Sequence, residues 1–210
     1  STYGVYLNKA TVYGYVNTFD KPITWTSGVG KVKGPATPGG TDVDLTRVGK
    51  SAFIPMFDIT TPSGAAAYTI DNSNDSATYA TGATSPVILD AYDLYLSGSE
   101  TLTIDGPVVM RVSHDLEILN NAKIRVTTNG SLQLFVGNDI SIGGTGGMQN
   151  DNVKEPKKMA LFSTDPSTSN YISYTCSADY RGVMYSENKP IYVTSNSEFY
   201  GALLSGQWVY

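Results

Sequence analysis

Asp115 and Asp139 stand 24 residues apart inside two segments that repeat each other, Val112-Ser-His-Asp-Leu-Glu-Ile118 and Val136-Gly-Asn-Asp-Ile-Ser-Ile142. Stacked as successive coils, such segments would bring the two carboxylates to about 5 Å in the stacking direction. Carboxylates that close can raise one pKa or share a cation, which is the chemistry a polysaccharide lyase or hydrolase needs. Both, however, follow a turn, after Ser113-His and Gly137-Asn. Aspartate there commonly hydrogen-bonds backbone, and that structural role is the expectation. Asp105 and Arg111 are flanking groups only. His114 is the sole histidine, so a metal site resting on several imidazoles is excluded, and any Ser-His-Asp arrangement would have to use it. No G-x-S-x-G elbow accompanies it, and a solvated turn histidine is expected.

Other chemistry-bearing residues lead to equally plain readings. Gly143-Gly-Thr-Gly-Gly-Met-Gln-Asn-Asp151 approaches the calcium nonapeptide G-G-x-G-x-D, but Met148 occupies the ligand position and the motif does not recur. It also lacks the G-K-[ST] of a phosphate loop, which leaves a flexible turn. Lys154, Lys157 and Lys158 are interleaved with Asp151 and Glu155 as a solvated loop. Cys176 is the only cysteine; it cannot form an intrachain disulfide, and its strand-like surroundings predict a buried thiol. No catalytic, cofactor-binding or metal-ligating residue is assigned, no cofactor is implied, and no enzyme activity is expected.

The elements that hold these residues are short strands. From Thr101 to Ile142 an apolar β-forming segment recurs about every eight residues, within the block that repeats at 24. Ala10-Thr-Val-Tyr-Gly14 and Gly30-Lys-Val-Lys-Gly34 share x-V-x-G at an offset of 20. Ser177-Ala-Asp-Tyr-Arg-Gly-Val-Met-Tyr-Ser186 aligns with Asn196-Ser-Glu-Phe-Tyr-Gly-Ala-Leu-Leu-Ser205 at an offset of 19, which makes Tyr180 and Phe199 equivalent, and likewise Gly182 and Gly201. Repeats of this length built from strands predict an all-β fold, a single-stranded right-handed parallel β-helix with three short faces per coil and irregular loop excursions. One domain covers residues 1–210. First coils span 1–34, an irregular excursion 35–86, regular coils 87–142, a loop excursion 143–170 and terminal coils 171–210. Within 35–86, Ser51-Ala-Phe-Ile-Pro-Met-Phe-Asp-Ile59 reads as an apolar strap, and residues 64–67 as a helical turn.

Asp105-Gly-Pro-Val-Val-Met-Arg-Val-Ser-His-Asp-Leu-Glu-Ile, Asn121-Ala-Lys-Ile-Arg-Val, Ser131-Leu-Gln-Leu-Phe-Val-Gly-Asn-Asp-Ile-Ser-Ile, Pro156-Lys-Lys-Met-Ala-Leu-Phe, Asp179-Tyr-Arg-Gly-Val-Met-Tyr and Glu198-Phe-Tyr-Gly-Ala-Leu together carry a resemblance. They resemble an uncharacterised bacterial β-helix domain family of exported, surface-linked and type IV pilus-associated proteins. Its coils are similar to those of bactofilins, which form polymers. The likeness covers most of residues 87–210 and, more loosely, 5–34. It implies a fold and carries no catalytic residues to transfer. Members usually run through a further strand past the last Gly-Ala-Leu, whereas this chain stops at Gln207-Trp-Val-Tyr210.

The expected function is that of a non-enzymatic extracellular or cell-surface structural protein of bacteria. Self-association end to end follows from a chain that finishes within a strand at Trp208 to Tyr210. The candidate interaction surface is Tyr180, Tyr200, Trp208 and Tyr210, facing a glycan or surface protein. A carbohydrate-binding adhesin or polysaccharide-active β-helix with a tyrosine-lined groove is the alternative, and an intracellular bactofilin-like scaffold a third. A net charge of −5 gives no footprint for nucleic acid. No segment nears the roughly 18–20 apolar residues of a membrane span. The opening Ser1-Thr-Tyr has no basic region and apolar run, so the expectation is of an export signal removed or absent.

Overall fold

Pro107–Val112 shows how this chain makes a wall. Alternate side chains of a strand point to opposite faces, and here Val108, Met110 and Val112 are buried while Pro107, Val109 and Arg111 are partly exposed. The same alternation recurs in Thr101–Ile104, Leu116–Ile118 and Ile140–Ile142. A strand with one dry side needs neighbours of its own kind, and here they come from the preceding and following coils. The computed structural model describes residues 5–7, 11–14, 16–18, 23–25, 31–34, 42–50, 59–71, 76–194 and 197–206.

Among the described residues every strand pairing is parallel, and no α-helix occurs. The chain visits three walls in turn. Pro107–Val112 lies in a nine-stranded sheet, Leu116–Ile118 in a five-stranded sheet and Lys123–Val126 in a four-stranded sheet; Ser131–Val136, Ile140–Ile142 and Gly147–Asn150 then repeat the circuit. Val112 pairs with Val136 and Leu116 with Ile140, so the repeat of 24 is one circuit of a parallel β-solenoid. Inward rungs such as Leu89, Met110, Leu134, Leu161 and Met184 are fully buried. Removing each from water contributes about 1.5–3 kcal/mol. Tyr180 pairs with Phe199 and Gly182 with Gly201, as the repeat at 19 requires. Val12 pairs with Val32, both buried, as the repeat at 20 requires.

Several expectations need correction. Residues 64–67 are not helical; they lead into the strand Tyr68–Thr69, which joins the nine-stranded sheet beside Val87–Ala91. The excursion at 35–86 also contains Val48–Lys50 and Ser76–Tyr79, and the latter is a full rung beside Thr101–Ile104. Its polar composition hid it, because Ser76 and Thr78 face water at the end of a sheet. Likewise 143–170 includes the rung Gly147–Asn150, whereas Met159–Ser163, where Met159-Ala-Leu-Phe162 reads as a short strand, is a rung as expected. The glycines before Met148 bend at 144–145 and lead into the rung Gly147–Asn150. A Cβ on Gly144 would stand 2.1 Å from the carbonyl oxygen of Asn120, and one on Gly146 2.0 Å from that of Ala122. Glycine is required because the backbone of one coil lies against the next. The strap over residues 51–58 lies outside the described residues.

The terminal coils are terminal in sequence only. Glu198–Ser205 pairs on one side with Tyr180–Ser186 and on the other with Thr11–Gly14, which pairs in turn with Lys31–Lys33. The amino-terminal strands thus continue the sheet where an open edge was expected. Repeats show which segments are alike but not the order in which they stack.

Candidate functional site

The corner between the nine- and five-stranded sheets gathers the candidate polar residues. Each five-sheet strand begins with a backbone N–H that needs an acceptor. Asp93 Oδ1 accepts the N–H of Asp115 at 3.1 Å, and Asp115 Oδ1 accepts that of Asp139 at 3.1 Å. Each carboxylate therefore caps the coil after its own. The turn role expected of Asp115 takes another form, since its carboxylate holds backbone of the next coil, whereas the Asp139 carboxylate accepts from the side chains of Asn170 and Lys189. Asp93 went unrecognised, although Asp93-Leu-Tyr-Leu repeats the pattern of Asp115-Leu-Glu-Ile and Asp139-Ile-Ser-Ile.

His114 is partly exposed and well bonded rather than freely solvated. Its Nδ1 lies 2.8 Å from Asp93 Oδ1 and 3.3 Å from Asp115 Oδ2. Its ring stacks on Tyr92 at 5.2 Å and 11°. Asn138 Nδ2, a donor, stands 3.3 Å from Nε2 and donates to Asp115 Oδ1 at 2.6 Å. That network assigns the tautomer: Nδ1 carries the proton given to Asp93, and Nε2 accepts. The hydrogen bond to Asp93 raises the His114 pKa, with Asp115 and Asp139 adding their charges. The backbone N–H of Asp115, then His114, lower that of Asp93.

Asp93, His114 and Asp115 bring donor atoms within 4.8 Å of one another, the one such group among the described residues. One imidazole with two carboxylates suits a borderline ion such as Zn²⁺. In the structure those atoms bond to one another and to backbone: each aspartate holds an N–H of the next coil, and Nδ1 donates to Asp93. Alongside lies an open cleft of about 520 Å³, lined by Asp90, Tyr92, Arg111 and Ser113 among others. Arg111 is not free to bind a ligand there. Nε and Nη2 donate to the two oxygens of Asp90, while Nη1 donates to the carbonyls of Pro62 and Gly64 at 2.9 and 3.0 Å, pinning that loop to the wall. Asp105 accepts from Thr127 Oγ1 at 2.6 Å, again one coil on.

Farther along the same corner Lys189 is fully buried. Its Nζ donates to Asp165 Oδ2 at 2.7 Å, Asp139 Oδ1 at 2.8 Å and the Asn138 carbonyl at 3.1 Å. Burial opposes the charge, but Asp139 and Asp165 outweigh it and raise the Lys189 pKa. For Asp139 burial raises the pKa, yet Lys189 and Asn170 bring it below its ordinary value. The inward rung changes with this lysine, from Val112 and Val136 to Ser163, Ser186 and Ser205. Ser186 Oγ accepts the backbone N–H of Lys189 at 2.8 Å, while Ser163 Oγ is buried without a partner. No local pattern marks Ser-Glu-Asn-Lys-Pro190 as buried, so Lys189 and Asp165 were not legible.

The candidate interaction surface divides. Tyr180 is fully buried, stacked on Phe199 at 4.7 Å and edge-on to Tyr174 at 5.5 Å, with its hydroxyl donating to the Val183 carbonyl. It faces the core. Tyr200 lies on the outer side, stacked on Tyr13 at 5.0 Å and 9°, with the Arg181 guanidinium 4.0 Å from its ring centre. Both tyrosine hydroxyls donate to Glu198. Beside them runs an open groove of about 440 Å³ that includes Gln149, Asp151, Asp179 and Arg181. Trp208 and Tyr210 lie outside the described residues. Cys176 is buried as expected, and burial pushes its thiol pKa up.

Residues 63–209 match the family model described as Domain of unknown function (DUF7305). No curated protein and no solved structure matches the chain.

Proposed function

The chain belongs to the DUF7305 family, and from that premise we propose that it is a non-enzymatic structural β-solenoid of the bacterial surface or extracellular space, presenting a rod to its partners. One observation carries this reading: the corner polar groups are spent on joining coil to coil. Asp93, Asp115 and Asp105 each bond the coil that follows, and Arg111 clamps Asp90 to the loop at 62–64. Catalytic groups must turn toward a substrate, whereas these turn toward the protein. Among the described residues no helix is long and apolar enough to cross a membrane.

Association with pili or the envelope, and bactofilin-like polymerisation, remain parts of this proposal. Strand addition has its open edges at Tyr68–Thr69, Ser76–Tyr79 and Leu94–Leu96, which end their sheets with no further strand among the described residues. Surface biotinylation of producing cells, with light scattering of the purified protein, tests the reading. Labelling on intact cells supports it, and a protein protected until lysis overturns the surface assignment. The adhesin reading has its own support in the open groove beside the partly exposed Tyr13 and Tyr200, where Gln149, Asp151, Asp179 and Arg181 offer polar groups to sugar hydroxyls. A glycan array decides it: binding lost in Tyr200→Ala favours the adhesin, and product released from a bound polymer overturns the non-enzymatic reading.

A further inference from the structure

Among the described residues Lys189 is the one lysine with no exposure, and it faces two carboxylates. An ionised cluster so placed is costly to desolvate. Asp165 is buried too, at 8% exposure, and its second oxygen, Oδ1, accepts the backbone N–H of Ser167 at 2.8 Å. We propose that Lys189 and Asp165 condense to an intramolecular isopeptide bond between Nζ and Cγ. The parts of an acyl transfer stand together here: an amine nucleophile, a carboxyl carbon, a second carboxylate as proton carrier and an N–H donor for the oxyanion.

Asp139, whose Oδ1 is 2.8 Å from Nζ, takes a proton from the ammonium. The freed lone pair attacks Cγ of Asp165, and the charge that develops on Oδ1 is held by the Ser167 N–H. The bond from Cγ to Oδ2 then breaks. Asp139 passes its proton, followed by the second one shed by nitrogen, to Oδ2, which leaves as water. Ammonium and carboxylate become amide and water, Asp139 is regenerated, and no co-reactant is consumed. The fold supplies proximity, which raises effective concentration by orders of magnitude. Asp139 and Asp165 hold the proton on Lys189, so its transfer to Asp139 is uphill and the single turnover is slow. The product ties the loop after Met159–Ser163 to the loop before Ile191–Val193 and closes residues 165–189 into a ring. This inference does not depend on the function proposed above.

Intact-mass spectrometry of the folded, full-length chain tests it. The expected mass is lower than that of the sequence by one water, about 18 Da, with tandem fragments joining Lys189 to Asp165. Lys189→Arg keeps the charge but offers no such amine, and should show the full mass with an unchanged β-type circular dichroism spectrum. Asp139→Asn, folded by the same measure, should lose most of the cross-link. Full mass in the parent chain after days at neutral pH, or a water lost at any other pair, overturns the proposal. A cross-link that forms equally well in Asp139→Asn overturns the role of Asp139.

Discussion

Gly144 and Gly82 show how much a single residue can matter when coils touch. Both have positive φ, +85° and +72°, but a Cβ on Gly144 would meet Asn120 backbone, whereas one on Gly82 would meet nothing within 4 Å. Gly144→Ala should therefore lower stability by about 2–4 kcal/mol in denaturant unfolding, as strain adds to a backbone clash. Gly82→Ala should cost only about 1 kcal/mol, the backbone contribution alone. Tyr174 and Tyr180 make a second residue-scale prediction. Burial raises both phenol pKa values above the ordinary 10.0, so the folded chain holds these protons more tightly than the unfolded one. Their contribution is full below pH 10.0 and is lost as pH climbs from there through the higher folded values. Absorbance at 295 nm should show these two ionising only together with loss of the β-sheet signal. Ionisation well before unfolding would contradict their burial.

At the scale of the element, the rung is the unit of stability. Leu134 is fully buried and flanked in register by Met110 and Leu161. Leu134→Ala should cost about 2–5 kcal/mol, measured as a lower denaturant midpoint, because a rung held on both sides cannot collapse into the cavity. A ladder also runs along the outer face, where Phe135 stacks on Phe162 at 4.9 Å and 20°, and Phe162 leans on Tyr185 at 6.3 Å. Its register follows Arg111, so this wall changes from a charged clamp to aromatic stacking along its length. Strands with strict alternation were legible from the residues. Ser76–Tyr79 and Gly147–Asn150 were not, since Ser-Ala-Thr-Tyr and Gly-Met-Gln-Asn carry too few apolar positions to show a period. Their neighbours in the sheet make them strands.

At the scale of the whole molecule, the unexpected feature is the seat of the amino-terminal strands on Glu198–Ser205. Removing residues 1–58 would bare that edge and take away its neighbour Thr11–Gly14. The shortened chain should associate in a concentration-dependent way on size-exclusion chromatography with light scattering, while the full chain should not do so through that edge. A shortened chain that stays monomeric and equally stable would show the edge to be protected by other means.

Repeats at 19, 20 and 24 and the alternation within Lys123-Ile-Arg-Val were enough to determine a parallel solenoid, because one dry face per strand and one circuit per repeat leave few other ways to bury the rungs. The partners of the polar residues were decided only in three dimensions. Asp115 bonds a coil 24 positions on, Lys189 bonds Asp139 from 50 positions away, and Thr11 pairs with Glu198. Periodicity reports which face a side chain occupies. Whom it meets depends on how the coils stack, and local residue types carry no record of that.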